Sequence, residues 1–311
     1  MRTVFVSGAT GVLGRRVVAE LVVAGFDVTG VARDPSKHAD LAALGVRPVA
    51  LDLFDRAAVH AAVAGHEVVF NLATAIPLGE RANDLRAWED NDRIRREGSR
   101  NLVDAALAGG ASRYVQESIA FVYADGGERF LDESAAIAAT GVASAALVAE
   151  AEAARFAEHG VAGVALRFGQ FYGFDSGHTV RAIDATLAGR PVELGYEAAY
   201  RSSVTTDDAA SAVVAALMAP SGIYNVVDDR PLPRAEYVDA LAHSLGVPTP
   251  TVRSVPLELP PEFSVMLRSL RVSNQRFKGI SGWQPRFPSA WEGWPYVVAA
   301  WRARYAQARQ A

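Results

Sequence analysis

Hydrophobic positions along the chain fall into short continuous runs separated by helical stripes. Thr3-Val-Phe-Val-Ser7 is apolar and β-branched and stops at Gly8, the pattern of a buried parallel strand. Apolar residues then recur at 13, 17, 18, 21 and 22, which predicts an amphipathic helix over Val12 to Ala24. The alternation repeats, with strands predicted at Phe26 to Ala32, Val46 to Leu51 and Val68 to Leu72, and helices at Ser36 to Leu44 and Arg56 to Ala64. A long helix is predicted over Asp84 to Ala108, then a strand over Ala111 to Ser118, an Ala-rich helix over Ala143 to Glu158 and a strand over Val161 to Phe168. This rhythm implies an α/β protein with a Rossmann-type, doubly wound parallel sheet covered on both faces.

Beyond Phe168 the rhythm changes. Phe171 to Tyr200 reads as Gly-rich and irregular, and the segment from Arg230 onward carries most of the 15 prolines. Between them, Thr206 to Met218 predicts a helix with Asp207 and Asp208 in its first turn, and Gly222 to Val227 a strand. The expected division is a dinucleotide-binding domain of residues 1–168 plus about 205–228, and a small discontinuous substrate domain of about 169–204 plus 229–311.

Composition narrows the function. The 311 residues carry 31 Lys+Arg against 35 Asp+Glu, a net charge of −4, with no basic run to meet nucleic acid or an anionic membrane. Nothing approaches the ~20 apolar residues of a membrane span, and glycine follows only seven residues from the start, so a cytoplasmic protein is expected. With no Cys, thiol chemistry is excluded, and the six His show no ligand spacing, so no metal is expected. Only Lys37 and Lys278 could serve in lysine chemistry, since Arg does not deprotonate.

Gly8-Ala-Thr10-Gly11-Val12-Leu13-Gly14 lies between a buried strand and a helix, where glycines permit a tight turn and close approach of a pyrophosphate to free N–H groups. Which dinucleotide binds turns on the end of the second strand. Ala32 stands where an acid would accept from a ribose hydroxyl, and Arg33, with Lys37 beyond it, favours the 2′-phosphate of NADP over NAD; the alternative is that Asp34 accepts from the ribose of NAD. Asp52 and Leu53 suit an adenine contact, and Leu72, Ala73 and Thr74 the adenosine ribose and pyrophosphate.

These segments, with Asn71-Leu-Ala73, Gly98-Ser-Arg-Asn-Leu102, Ser118, Phe121-Val-Tyr123, Tyr172-Gly173, Tyr224-Asn225-Val226 and Gly282-Trp283-Gln-Pro285, resemble the extended short-chain dehydrogenases/reductases of the NAD(P)-dependent epimerase/dehydratase family over nearly the whole chain. The resemblance implies a homodimer packed through the helices at 84–108 and 143–158, the second of which has Ala145, Ala149, Ala153 and Ala157 in one stripe; the stripe could equally pack on the sheet. It also implies a Ser and a Tyr-x-x-x-Lys, the Tyr handling the substrate proton while the Lys lowers its pKa and bonds the nicotinamide ribose. Ser118 matches. Aligned on Glu150, the Tyr and Lys positions hold Val142 and Ala146, and no Tyr lies between 124 and 171. Glu117 replaces a second serine, and Arg95 stands where relatives often carry Asn.

Three readings follow. The chain is an NADP-dependent oxidoreductase or epimerase-like enzyme with another acid, Tyr123 being the first candidate and Tyr172 and His178 the next, although both tyrosines also suit packing roles. Or the scaffold serves a non-redox lyase, isomerase or cyclase, with Glu117 or Glu133 as base. Or it senses a dinucleotide without turning it over. For a small-molecule substrate, Arg167, Gln170, Tyr172, His178 and Arg201 are the candidate contacts, two Arg suiting a phosphate or carboxylate. Arg167 could instead pair with an acid such as Asp207 or Asp208. Phe171, Phe174 and Tyr200 would also suit a hydrophobic substrate.

Overall fold

Seven parallel strands make one sheet: β1 (Thr3–Ser7), β2 (Asp27–Val31), β3 (Arg47–Val49), β4 (Val68–Asn71), β5 (Arg113–Ile119) and the strands Ala162–Phe168 and Gly222–Val226. The computed structural model describes residues 2–192, 195–253 and 260–308. Across the sheet the order is β3, β2, β1, β4, β5, Ala162–Phe168, Gly222–Val226. The direction of winding therefore reverses between β1 and β4, which opens a crevice at their carboxyl ends, where open α/β sheets bind ligands.

The strands read as continuous apolar runs because both faces are covered. Val4 and Val6 pack with Val17, Val18 and Leu21 of α1 (Gly14–Val23) and with Ala209, Ala212 and Val213 of the helix Thr206–Ala215. Phe5 points to the other face, against Val59 and Val63 of α3 (Arg56–Val63) and Leu102, Val103 and Ala106 further on. Each such large side chain contributes roughly 1.5–3 kcal/mol by leaving water. Between β2 and β3 the predicted helix is a 3-10 turn, Pro35–Lys37, followed by the short α2 (His38–Ala43).

The long helix expected over 84–108 is a composite. A 3-10 turn (Leu85–Trp88) leads into α4 (Glu89–Arg93), a π-turn (Ile94–Gly98) and α5 (Ser99–Ala108). After α6 (Ser144–Ala157) and the strand Ala162–Phe168, the segment expected to be irregular contains a short strand, Gln170–Tyr172, and α7 (Gly177–Leu187). The alanine stripe of α6 faces the sheet: Ala145, Ala149 and Ala153 are buried, and a Cβ on Gly163 would lie 2.0 Å from the Ala153 carbonyl oxygen. Close helix-to-sheet packing thus accounts for the stripe that suggested a homodimer surface.

Outside the large sheet, Tyr172, Tyr237 and Trp294 bring α7 and the helices Arg234–Leu245 and Ala290–Ala308 around an aromatic core. Phe277 and Trp283 insert into the core of the large sheet. Among the described residues, no helix is long and apolar enough to cross a membrane, and no cluster of three or more His, Asp or Glu could hold a metal ion.

Candidate functional site

The glycine turn is shaped by close backbone approach. Gly8 has φ +74°, and a Cβ there would lie 2.5 Å from the Leu72 carbonyl oxygen; one on Gly14 would meet the Gly8 oxygen at 2.0 Å. The residue before α1 offers no side-chain cap; the Arg15 and Arg16 N–H groups are met by the Gly11 and Leu13 carbonyls, so a phosphate here would be met by the N–H groups of the glycine turn that leads into the helix. The crevice is lined by Gly8, Thr10, Gly11, Arg33, Asp52, Leu53, Leu72, Ala73 and Thr74, together with Val31, Leu51, Phe54 and Ile94. A dinucleotide fits this cradle. Val12, Leu13 and Gly14, named with the turn, lie outside the lining: Leu13 packs in the core and Gly14 presses on Gly8.

At the end of β2, Arg33 faces the crevice while Asp34 turns back to cap the following 3-10 turn, its Oδ1 accepting the Ser36 N–H at 2.9 Å. Those bonds hold the Asp34 carboxyl below its usual range. The Asp52 Oδ1 accepts the Phe54 N–H at 3.0 Å.

Deeper in, the sequence-predicted residues are tied to one another. Ser118 and Tyr123 are both 0 % exposed. The Ser118 hydroxyl donates to Glu150 Oε1 at 2.5 Å, and Arg167 grips the same carboxylate from Nε and Nη2 at 2.7 Å each. Burial opposes the Arg167 charge, but the Glu150 bonds outweigh it and raise the pKa. The partner of Arg167 is thus Glu150, whereas Asp207 receives Arg16 and Tyr296, and the Asp208 carboxylate accepts the Thr205 hydroxyl and the Arg286 and Phe287 N–H groups.

Tyr123 lies in an apolar cluster and donates to Asn225 Oδ1 at 2.8 Å, with the Arg167 guanidinium 4.8 Å from its ring centroid. Burial pushes its phenol up. An interior hydroxyl directed at Asn225 is not aimed at a ligand, which weighs against the expectation of Tyr123 as the acid. Tyr172 is likewise interior, its hydroxyl 3.4 Å from Asp228 Oδ2. Neither proposed base is free: Glu117 bonds Arg95, and Glu133 accepts the Asn225 N–H at 2.8 Å.

Val142 and Ala146, at the aligned Tyr and Lys positions, are buried. Val142 packs with Phe263 and Val265, and a Cβ on Gly141 would lie 2.2 Å from the Glu262 carbonyl oxygen. Apolar packing against the segment Pro261–Leu267 stands at this point. Of the expected substrate contacts, Gln170, Tyr172 and His178 line one small cavity with Tyr237 and Trp294, and the Gln170 amide sits 2.8 Å from the His178 ring. Arg167 and Arg201 do not join them: Arg167 is held by Glu150, and Arg201 is buried with its guanidinium 5.8 Å from the Phe121 ring.

Sequence reading missed the pairing of Arg95 with Glu117. Both are buried, and Arg95 Nη2 donates to the two Glu117 oxygens at 2.9 and 3.0 Å. The signal was present as two departures from the same family pattern, 22 residues apart.

Comparison with known proteins bears on this arrangement. The sequence profile described as "NAD dependent epimerase/dehydratase family" matches residues 4–226. A Streptomyces protein named 3-diazoavenalumate denitrifying reductase is 36% identical over 307 residues, covering 93% of this chain and 98% of that one. Among solved structures, MoeE5 in complex with UDP-glucuronic acid and NAD superposes with TM-score 0.79 at 24% identity, over 97% of this chain and 99% of that one. The UDP-glucose 4-epimerase of Thermus thermophilus in complex with NAD gives 0.80 at 23% identity, over 96% and 99%. The chain belongs to the NAD dependent epimerase/dehydratase family.

Proposed function

We propose that the protein is a reductase that uses NADP(H) to deliver hydride to an electron-poor aromatic small molecule carrying a leaving group, an arenediazonium ion being the best fit, without a tyrosine/lysine proton relay. One observation carries the reading. The hydroxyl protons of Ser118, Tyr123 and Tyr172 are directed to Glu150, Asn225 and Asp228, so none is aimed at a ligand.

Carbonyl reduction draws a proton to the oxygen from a positioned acid. A bound reduced nicotinamide supplies hydride, and hydride delivered to the diazonium carbon releases dinitrogen and leaves a neutral arene with no proton to place. The glycine turn before α1 would hold the pyrophosphate, and Arg33, with Asp34 committed to its cap, would favour a 2′-phosphate. The Streptomyces relative, named 3-diazoavenalumate denitrifying reductase, supports the same reaction class.

The test supplies the purified chain with benzenediazonium and NADPH deuterated at C4. The expected result is dinitrogen release above the protein-free rate, one deuterium per benzene formed, and faster turnover with NADPH than NADH. No protein-dependent release overturns the reading. A second reading, dinucleotide binding without turnover, is favoured by the complete burial of Ser118 and Tyr123. Tight NADPH binding in the absence of any dinitrogen release would support it.

A further inference from the structure

The helical run from Leu85 to Ala108 carries two interior side chains that are each held by one end only. Asn91 and Arg95 are both 1% exposed. Asn91 Oδ1 accepts the Ala75 N–H at 3.1 Å, which ties the side chain to the loop after β4. Arg95 uses Nη2 alone, on Glu117. Asn91 Nδ2 and Arg95 Nε and Nη1 are buried and meet no acceptor. A dry N–H without an acceptor is unfavourable, and native interiors hold few of them.

The two residues are four apart in one continuous helical run, which sets them as neighbours on one face. Arg95 stands in the π-turn, a rare widening found mostly at functional sites. Each anchor adjoins the site already described: Ala75 follows Thr74 and Arg95 follows Ile94, both of which line the crevice, and Glu117 precedes Ser118. Asn91 and Arg95 themselves stand outside the crevice lining, each one residue or one hydrogen bond away from a residue beside it.

We propose that Asn91 and Arg95 together form a binding site for an anionic oxygen, a carboxylate or a phenolate, of the aromatic molecule that enters the crevice. The aromatic class rests on the function proposed above; the anion preference rests on the donors. Glu117 fixes the guanidinium and Ala75 fixes the amide, so both donor sets are oriented before a ligand arrives. Asp92, whose Oδ1 is also buried without a donor, lies within electrostatic reach of Arg95 and opposes a second anion.

The experiment is calorimetric titration of the full chain, saturated with whichever of NADP+ or NAD+ it binds, using benzoate against benzamide and 4-nitrophenolate against nitrobenzene. At least one anion is expected to bind tenfold or more tightly than its neutral counterpart, and the pair that shows it tells carboxylate from phenolate. Asn91→Leu and the double variant Arg95→Met/Glu117→Leu, which removes the buried charges together, are expected to cut that preference below threefold while neutral affinity holds. Arg95→Lys should recover part of it, and Asp92→Asn should leave it equal or stronger. Equal binding of anion and neutral by the wild type, a preference untouched by the Asn91 or Arg95 variants, or a weaker one in Asp92→Asn, overturns the inference. Dinitrogen release without anion preference would sink this site and keep the proposed reaction; anion preference without release would do the reverse.

Discussion

Arg167 holds Glu150 through a two-pronged ion pair that crosses from the strand Ala162–Phe168 to α6 and leaves both groups out of water. Removing one partner strands the other charge, whereas removing both leaves an apolar gap. Arg167→Leu is therefore expected to destabilise the fold by about 3–5 kcal/mol, and Arg167→Leu/Glu150→Leu to recover most of the loss. Urea unfolding of the wild type, Arg167→Leu, Glu150→Leu and the double variant measures the coupling; additive losses would show that the pair does not act as a unit.

Gly8→Ala places a methyl group on the Leu72 carbonyl at a backbone angle that disfavours alanine. Dinucleotide affinity is expected to fall at least tenfold, about 1.4 kcal/mol, with the circular dichroism of the sheet retained. Calorimetry with NADPH decides it.

Arg33→Ala is expected to weaken NADPH binding by about tenfold while moving NADH by less than about threefold. Equal losses for both would assign Arg33 to the shared adenosine rather than to the 2′-phosphate.

Tyr123→Phe removes the bond to Asn225 and the hydroxyl's interaction with Arg167. A stability loss of about 1 kcal/mol is expected, with kcat on a diazonium substrate unchanged. A hundredfold fall in kcat would restore Tyr123 as a proton donor.

Glu20, half-buried on α1, has its carboxyl pushed up to about 6 by burial first and by Asp207 and Asp208 next. The folded state then holds this proton more tightly than the unfolded chain, so Glu20 lowers stability as pH rises from about 4.5 through 6. Discounted for its exposure to solvent, the effect is about 1 kcal/mol or less. Glu20→Gln should accordingly be more stable than wild type at pH 7.5 and not at pH 4, as thermal melts at the two pH values would read.

The α/β alternation was legible because strands covered on both faces must be continuously apolar, as Val4, Phe5 and Val6 are. The glycine turn was legible because so few residues tolerate the approach of Leu72 to Gly8. The composite nature of 84–108 was not, since apolar periodicity does not distinguish a π-turn from an α-turn over five residues. Helix α7 escaped because its inward positions include Thr179 and Thr186, polar residues whose hydroxyls bond backbone groups. The deep site was hardest: Glu150 served to align the sequence with relatives, yet its bonds to Ser118 and Arg167 span 32 and 17 residues, and only the fold brings them together.

The widened turn at Ile94–Gly98 also says something about descent. A π-turn is a helix that has absorbed one residue more than its pitch allows. Losing one codon within that stretch would let α4 and α5 fuse into a regular helix and rotate α4 by roughly 100° relative to α5. Asn91 would then leave Ala75, and Arg95 and Glu117 would lose register, with the sheet untouched. A single in-frame deletion could thus erase a ligand preference without erasing the fold, which makes this turn a place where close relatives can diverge in one step.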